Sequence, residues 1–347
     1  MADNKKKQSE NKSDFPQWEP DKDLKISSFK SGKTLEKCSS LAVDSDDEGW
    51  SLLQTFKPGQ NALILTALNQ GVNALELALE TGSPDEFDQL MKGVKAEMIS
   101  LHLNYTNGAA LVEGFTTLSS YLVRKNIDVH FVDGSLRYAG QQPFNWLAQD
   151  INETLPCFSF YYFETPDAES VGGHVEQLSG LFLDLLRTFE KAPFEPEDVL
   201  RKSVFRILTG NDFLTEAAKI RAFYKIWDLI LEELNSDHFL PDMEISVSPK
   251  AFGEDLYFNL IRSTSAAVSA AISGGTRIHL PFLDTNQKNA PTDPVAFSSR
   301  MHANILHLMQ HESHLNRVSD PLAGSYLMEE LTDKFAEKVW DKVTKNL

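Results

Sequence analysis

The residues best equipped for chemistry lie near the C-terminal end. In "HANILHLMQHESH", His307 and His311 stand four apart and His314 three further on, so one helix face would present three imidazoles, a familiar set of metal ligands. The stretch is not the H-E-x-x-H of a zinc protease, because Glu312 follows the second of these histidines and none stands at position 315. No carboxylate is placed to orient an imidazole from behind. The expectation is solvated or interfacial histidines and no metal. "FKSGKT", residues 29 to 34, ends like a phosphate-binding loop, but Ser27 stands where that loop needs glycine and no apolar strand precedes it. In "ISGGTRIHL", residues 272 to 280, Gly274 and Gly275 fit the end of a helix just before a strand. Alternation leaves open whether His279, inside that strand, faces the core or a mouth.

These residues sit in an ordinary globular composition, with 41% hydrophobic and 24% charged residues in 347. A chain of about 300 residues buries roughly 75% of its unfolded surface, so one large domain is feasible. The formal net charge of -17 argues against a phosphate-tracking nucleic-acid binder and against anionic membrane surfaces. Cys38 and Cys157 cannot make a disulfide framework, and the apolar run around Cys157 predicts a reduced, buried thiol. The N-terminal lysines are followed by no apolar run, and no stretch has the roughly 20 apolar residues of a spanning helix. Cytoplasmic is the expected compartment.

Residues 1 to 46 read as a polar arm, extended or helical and partly disordered, with Phe15, Trp18 and Phe29 available to a subunit interface. From residue 47 onward, short apolar runs alternate with longer amphipathic ones. The strand candidates are 50 to 56, 72 to 79, 96 to 103, "IDVHFV" at 127 to 132, 157 to 163, 203 to 209, 243 to 248 and 276 to 282. Helix candidates lie between them, with start signals at Ser83-Pro84, Asn211-Asp212 and Asp293-Pro294. Eight β–α units predict an α/β fold, a (β/α)8 TIM barrel over 47–347, with chemistry at the C-terminal ends of its strands. The rival is an open doubly wound sheet, which the missing glycine-rich fingerprint disfavours.

Three blocks carry a family resemblance. "SDPLAGSYLMEELT", from Ser319 to Thr332, resembles the D-P-x-A-G-S-Y-Y-V-E-x-L-T segment of methylmalonyl-CoA mutases. "DFLTEAAKIRAFYKIWDLI", 212 to 230, and "AAISGGTRIHLPFLD", 270 to 284, are similar to two further segments of that family, in the same order. The resemblance implies a barrel in which acyl-CoA threads along the axis and adenosylcobalamin caps the mouth. Its chemistry would be a radical interconversion of methylmalonyl-CoA and succinyl-CoA, carried by the cofactor.

The departures fall on the residues that this chemistry needs. Where the family has S-G-Y-H-M-Q-E, the chain reads "SFYYFET", so Tyr161 matches the tyrosine and Tyr162 replaces the histidine. A phenol lacks the acid/base choices of an imidazole near neutral pH. Asn145 stands where an arginine would pair with the substrate carboxylate, Thr55 replaces a tyrosine, and "SVSPKA" replaces H-C-Q-T-S-G. The cobalamin signature D-x-H-x-x-G finds only "DVHFVDG", with Asp133 where glycine is needed, and no cobalamin-binding domain is expected before Leu347. The pattern resembles the small, non-catalytic chain of the two-chain bacterial members, which implies a heterodimer with a large catalytic subunit and cofactor held by the complex rather than by this chain. Two alternatives stand beside it: an acyl-CoA-binding barrel acting with a separate cobalamin-binding chain, and a scaffold that keeps only the fold. The first would use Tyr162, Glu164, Asp133 and His279 at the mouth; weaker cofactor-binding candidates are Tyr161, Gly274 and Gly275. No catalytic residue is expected.

Overall fold

The computed structural model describes residues 17–22, 24–27, 49–138, 141–283 and 291–347. "FKSGKT" and Cys38 lie outside them. Among the described residues, no helix is long and apolar enough to cross a membrane. Two strands of the N-terminal arm, β1 (Gln17–Asp21) and β2 (Leu24–Ser27), form an antiparallel hairpin. The remaining strands are β3 (Ser51–Phe56), β4 (Ala74–Leu79), β5 (Ser100–Tyr105), β6 (Asp133–Tyr138), β7 (Phe158–Ser159), β8 (Tyr161–Glu164), β9 (Ser203–Thr209), β10 (Asp242–Val247) and β11 (Arg277–His279). They form one parallel sheet in the order β7-β6-β5-β4-β3-β11-β10-β9-β8. Only Phe160 separates its two end strands, so the ends are halves of one strand and the sheet closes on itself. The architecture is the eight-position (β/α)8 barrel expected from the alternation.

The closure has a seam. Strand β6 pairs with β7 only through Gly134 and Ser135, while β8 pairs with β9. Beside β8, the Gln142 side chain takes the place of a neighbouring strand, accepting from Tyr162 N at 3.1 Å and donating to Tyr162 O at 2.9 Å.

Helices follow each strand position: α1 (Asn61–Asn69), α2 (Pro84–Leu90), α3 (Gly108–Lys125), α4 (Asn145–Thr154), α5 (Ala168–Val171), α6 (His174–Lys191), α7 (Pro196–Arg201), α8 (Phe213–Leu234), α9 (Leu256–Ile272) and α10 (Pro294–His307). A final helix, α11 (Tyr326–Asn346), packs on α6 and α8. The start signals act as expected: Asp212 and Asp293 accept from Thr215 N and Ala296 N, and Pro84 opens α2.

One expected strand is displaced. "IDVHFV" is a 3-10 turn over Val129–Phe131 with Phe131 70% exposed, and the strand is the next six residues, "DGSLRY". Gly134 (φ +152) sits so close to β5 that a Cβ would collide with the backbone carbonyl of Leu101, so only glycine lets β6 begin there. Cys157 is exposed rather than buried, because the strand begins one residue later.

Part of the arm docks on this chain itself. Leu24 and Ile26 are fully buried, β2 contacts α11, and Asp21 Oδ2 accepts from Val175 N at 2.8 Å, capping α6 from a remote segment. The other long-range tie is ionic. Arg221 of α8 is fully buried and reaches Asp320, Glu329 at 2.9 Å and Thr332 at 3.3 Å. Replacing Arg221 with Met leaves two buried carboxylates without their cation, and breaking such a cluster costs about 3–5 kcal/mol. Urea unfolding of Arg221→Met should show that loss; a change within a few tenths of a kcal/mol would refute the clamp.

Candidate functional site

Side chains alternate across each strand, and the inward set of this barrel is charged where an apolar stack would be usual. Glu76 of β4 is 2% exposed. Its Oε2 accepts from Thr55 Oγ1 at 2.8 Å and Arg206 Nη2 at 2.7 Å, and its Oε1 from Asn104 Nδ2 at 3.0 Å and from Arg137. Glu244 of β10 pairs with Arg206 and lies 3.6 Å from Arg137 Nη1. Below them, Arg277 of β11 pairs with Asp242 at 2.6 Å. Arginines and carboxylates thus alternate around the axis and fill it. Burial alone would raise the Glu76 pKa, but Arg137 and Arg206 outweigh it and hold this carboxyl well below the usual range.

The neutral groups sit among these charges. His279 Nδ1 lies 2.7 Å from Ser246 Oγ, and its Nε2 lies 3.0 Å from Thr55 Oγ1. Because ionised Glu76 only accepts, Thr55 donates to it; the consistent assignment has Nε2–H donating to Thr55 and Ser246 donating to Nδ1. Burial, reinforced by Arg206, pushes the His279 pKa down to about 4, so the ring is neutral at pH 7. Tyr162 lays its ring over Arg137, with the guanidinium carbon 4.0 Å from the centroid, and burial holds its phenol well above its ordinary pKa.

The structure brings Thr55, Tyr162, Glu164 and His279 to this cluster or its rim, with Glu164 3.9 Å from Arg206. Other candidates lie elsewhere. Tyr161 points the opposite way, packed on Phe160 and Phe194, because neighbouring residues of a strand face opposite sides. Asn145 is exposed at the start of α4 and donates to Lys191 O at 3.0 Å. Asp133 is the first residue of β6 and therefore lies at the end away from the mouth. Gly274 and Gly275 also lie at that end, where Gly275 N bonds to Ala270 O and terminates α9. They leave the mouth set. His307 and His311 stack at 5.6 Å, but His307 Nε2 is engaged with Gln70 O at 2.8 Å, and His314 lies beyond the helix in a left-handed backbone conformation, φ 52. Among the described residues, no three His, Cys, Asp or Glu are grouped to hold a metal.

Sequence reasoning missed Glu76, Arg137, Arg206 and Glu244. For two of them a signal was present: Glu76 and Arg206 are each the lone charge of an otherwise uncharged strand, in "ALELAL" and "SVFRILT". Beside the mouth, a cavity of about 820 Å³ is lined by Gln142, Tyr162, Glu164, Asp184, Arg187 and Lys191, among others.

With this geometry in place, comparison shows what the chain is similar to. The methylmalonyl-CoA mutase family matches residues 183–345. The small subunit of methylmalonyl-CoA mutase from Porphyromonas gingivalis is 26% identical over 84% of this chain and 51% of its own length. A probable small subunit from Mycobacterium tuberculosis is 25% identical over 85% and 52%. The methylmalonyl-CoA mutase of Rhizobium meliloti is 33% identical over 42% of this chain and 20% of its own. Among solved structures, dihydropteroate synthase from Xanthomonas albilineans aligns with a TM-score of 0.44 at 12% identity, covering 77% of this chain and 94% of that one. Over most of its length the chain is thus similar to members of the methylmalonyl-CoA mutase family, whose model its C-terminal half matches. Its long-range likeness is to the small subunits, and it spans about half the length of those it matches.

The buried histidines give a pH test. A His whose folded pKa lies below its unfolded value near 6.5 binds fewer protons when folded, so stability is full above that pH and falls as pH drops. For His279 the window runs from about 6.5 to about 4, worth on the order of 3 kcal/mol across it. His302, pushed to about 3 by burial, extends the fall, while carboxylates such as Glu76 act only below 4.5. Urea midpoints of His279→Gln should vary less steeply between pH 6.5 and 4.5 than those of the parent; identical slopes would contradict a buried neutral His279.

Proposed function

We propose that this chain is a non-catalytic barrel that supports a larger, catalytic mutase chain, with acyl-CoA and adenosylcobalamin handled by that partner. One observation carries the reading: the axis along which the family resemblance would run the acyl-CoA is filled by Glu76, Arg137, Arg206 and Glu244. These groups neutralise one another, so inserting a pantetheine chain would strand buried charges, each a large cost. The residues also do not fit the cofactor's side of the chemistry. Tyr162 stands at the histidine position with its ring committed to Arg137, and both nitrogens of His279 are engaged. What the barrel retains is packing, which suits a structural subunit. The hairpin strand β2 is occupied by this chain's own α11 and is not offered to the partner.

Two measurements test this. Co-expressed with a large mutase subunit, the chain should co-purify with it and raise its recovered activity; a large subunit fully stable and active alone, with no co-purification, would defeat the proposal. The isolated chain should release no heat on titration with methylmalonyl-CoA. Tyr162→His should also show no turnover, because the histidine alone leaves the axis filled; turnover by either protein would overturn the non-catalytic reading.

A further inference from the structure

At the end of the barrel away from the mouth, a cavity of about 590 Å³ lies between the starts of β3, β10 and β11 and the segment 307–321. Its lining includes polar atoms buried without a hydrogen-bond partner among the described residues. Trp50 Nε1 and Arg277 Nε are donors; Asn316 Oδ1 and Asp320 Oδ2 are acceptors. Trp50 is 5% exposed and Arg277 8%. Asp242 takes only Nη2 of Arg277, and Arg221 holds the other oxygen of Asp320. Bare buried donors and acceptors are rare in native proteins, and several around one polar cavity call for a common guest.

The atoms define that guest. An indole N–H and a guanidinium N–H ask for an oxyanion. An amide oxygen and a carboxylate oxygen ask for a donor such as a hydroxyl. We propose that this cavity binds a small organic anion that also carries a hydroxyl, with its oxyanion on Arg277 and Trp50 and its hydroxyl on Asn316 and Asp320. The Asp242 and Asp320 carboxylates in the lining disfavour a polyanion such as a di- or triphosphate, while Arg277 leaves room for a mono- or dianion. The charged plug on the axis separates this site from the mouth, so it does not rest on the acyl-CoA reading.

Calorimetric titration of the full chain with four probes tests it. L-malate and glycerol 3-phosphate each carry both functions; succinate lacks the hydroxyl and glycerol the anion. At least one of the first two should bind saturably, and its stripped analogue should bind about tenfold more weakly or not at all. The arm that binds tells carboxylate from phosphate. Trp50→Phe removes one donor and should weaken binding about tenfold. Asn316→Ala, at a half-buried side chain, should weaken the hydroxylated probe and leave succinate unchanged, and it decides the matter should Trp50→Phe not fold. No saturable heat with either hydroxylated probe, or unchanged affinity in a folded Trp50→Phe or in Asn316→Ala, overturns the proposal.

Discussion

A carboxylate in the middle of a protein must be matched or expelled, and the barrel is organised around matching one. Glu76 collects hydrogen bonds from Thr55, Asn104, Arg137 and Arg206, which come from β3, β5, β6 and β9. Half of the strand positions are therefore tied to one residue of a fifth element near the axis. Glu244 balances the second charge that the two arginines bring. Removing one member strands the others, so the cluster changes as a set or not at all. Apolar cores tolerate piecemeal substitution far better. A barrel tied this way has its strands fixed in register around the axis.

The family signature has a physical explanation separate from catalysis. The block around Arg221 and the block from Asp320 to Thr332 are remote in sequence, yet they meet as one buried ion cluster. Asp320 even adopts a left-handed backbone, φ 45, where Glu329 also receives Gly324 N. The cluster holds α11 on α8 independently of any chemistry at the mouth. A resemblance carried by these blocks therefore reports on packing rather than on chemistry at the mouth.

This division explains what was legible in the sequence. Outward-facing apolar residues and helix caps gave the barrel, because burial against helices imposes a pattern on short windows. The fourth barrel strand was misplaced since its inward residues, Ser135 and Arg137, are polar, while the preceding turn, with Val129 and Phe131, is more apolar than the strand. Tyr162 and His279 lie at the axis whereas Tyr161, Asp133, Gly274 and Gly275 do not, a difference set by facing and by which end of a strand a residue occupies. The partners of Glu76 come from positions 21 to 130 residues away, and no local window contains that information.

The break at Phe160 and the Gln142 bridge across it give one loop residue an unusual standing. Sheets are ordinarily indifferent to side-chain identity in their main-chain bonding, which is why sequence can drift while topology persists. At this point two of the sheet's bonds are written in the genetic code, since they exist only while position 142 encodes a carboxamide of that length. Asparagine is one methylene too short, and glutamate lacks the N–H donor. A loop side chain is thus part of the barrel's wall, and a substitution there removes two bonds of the seam rather than altering a surface detail.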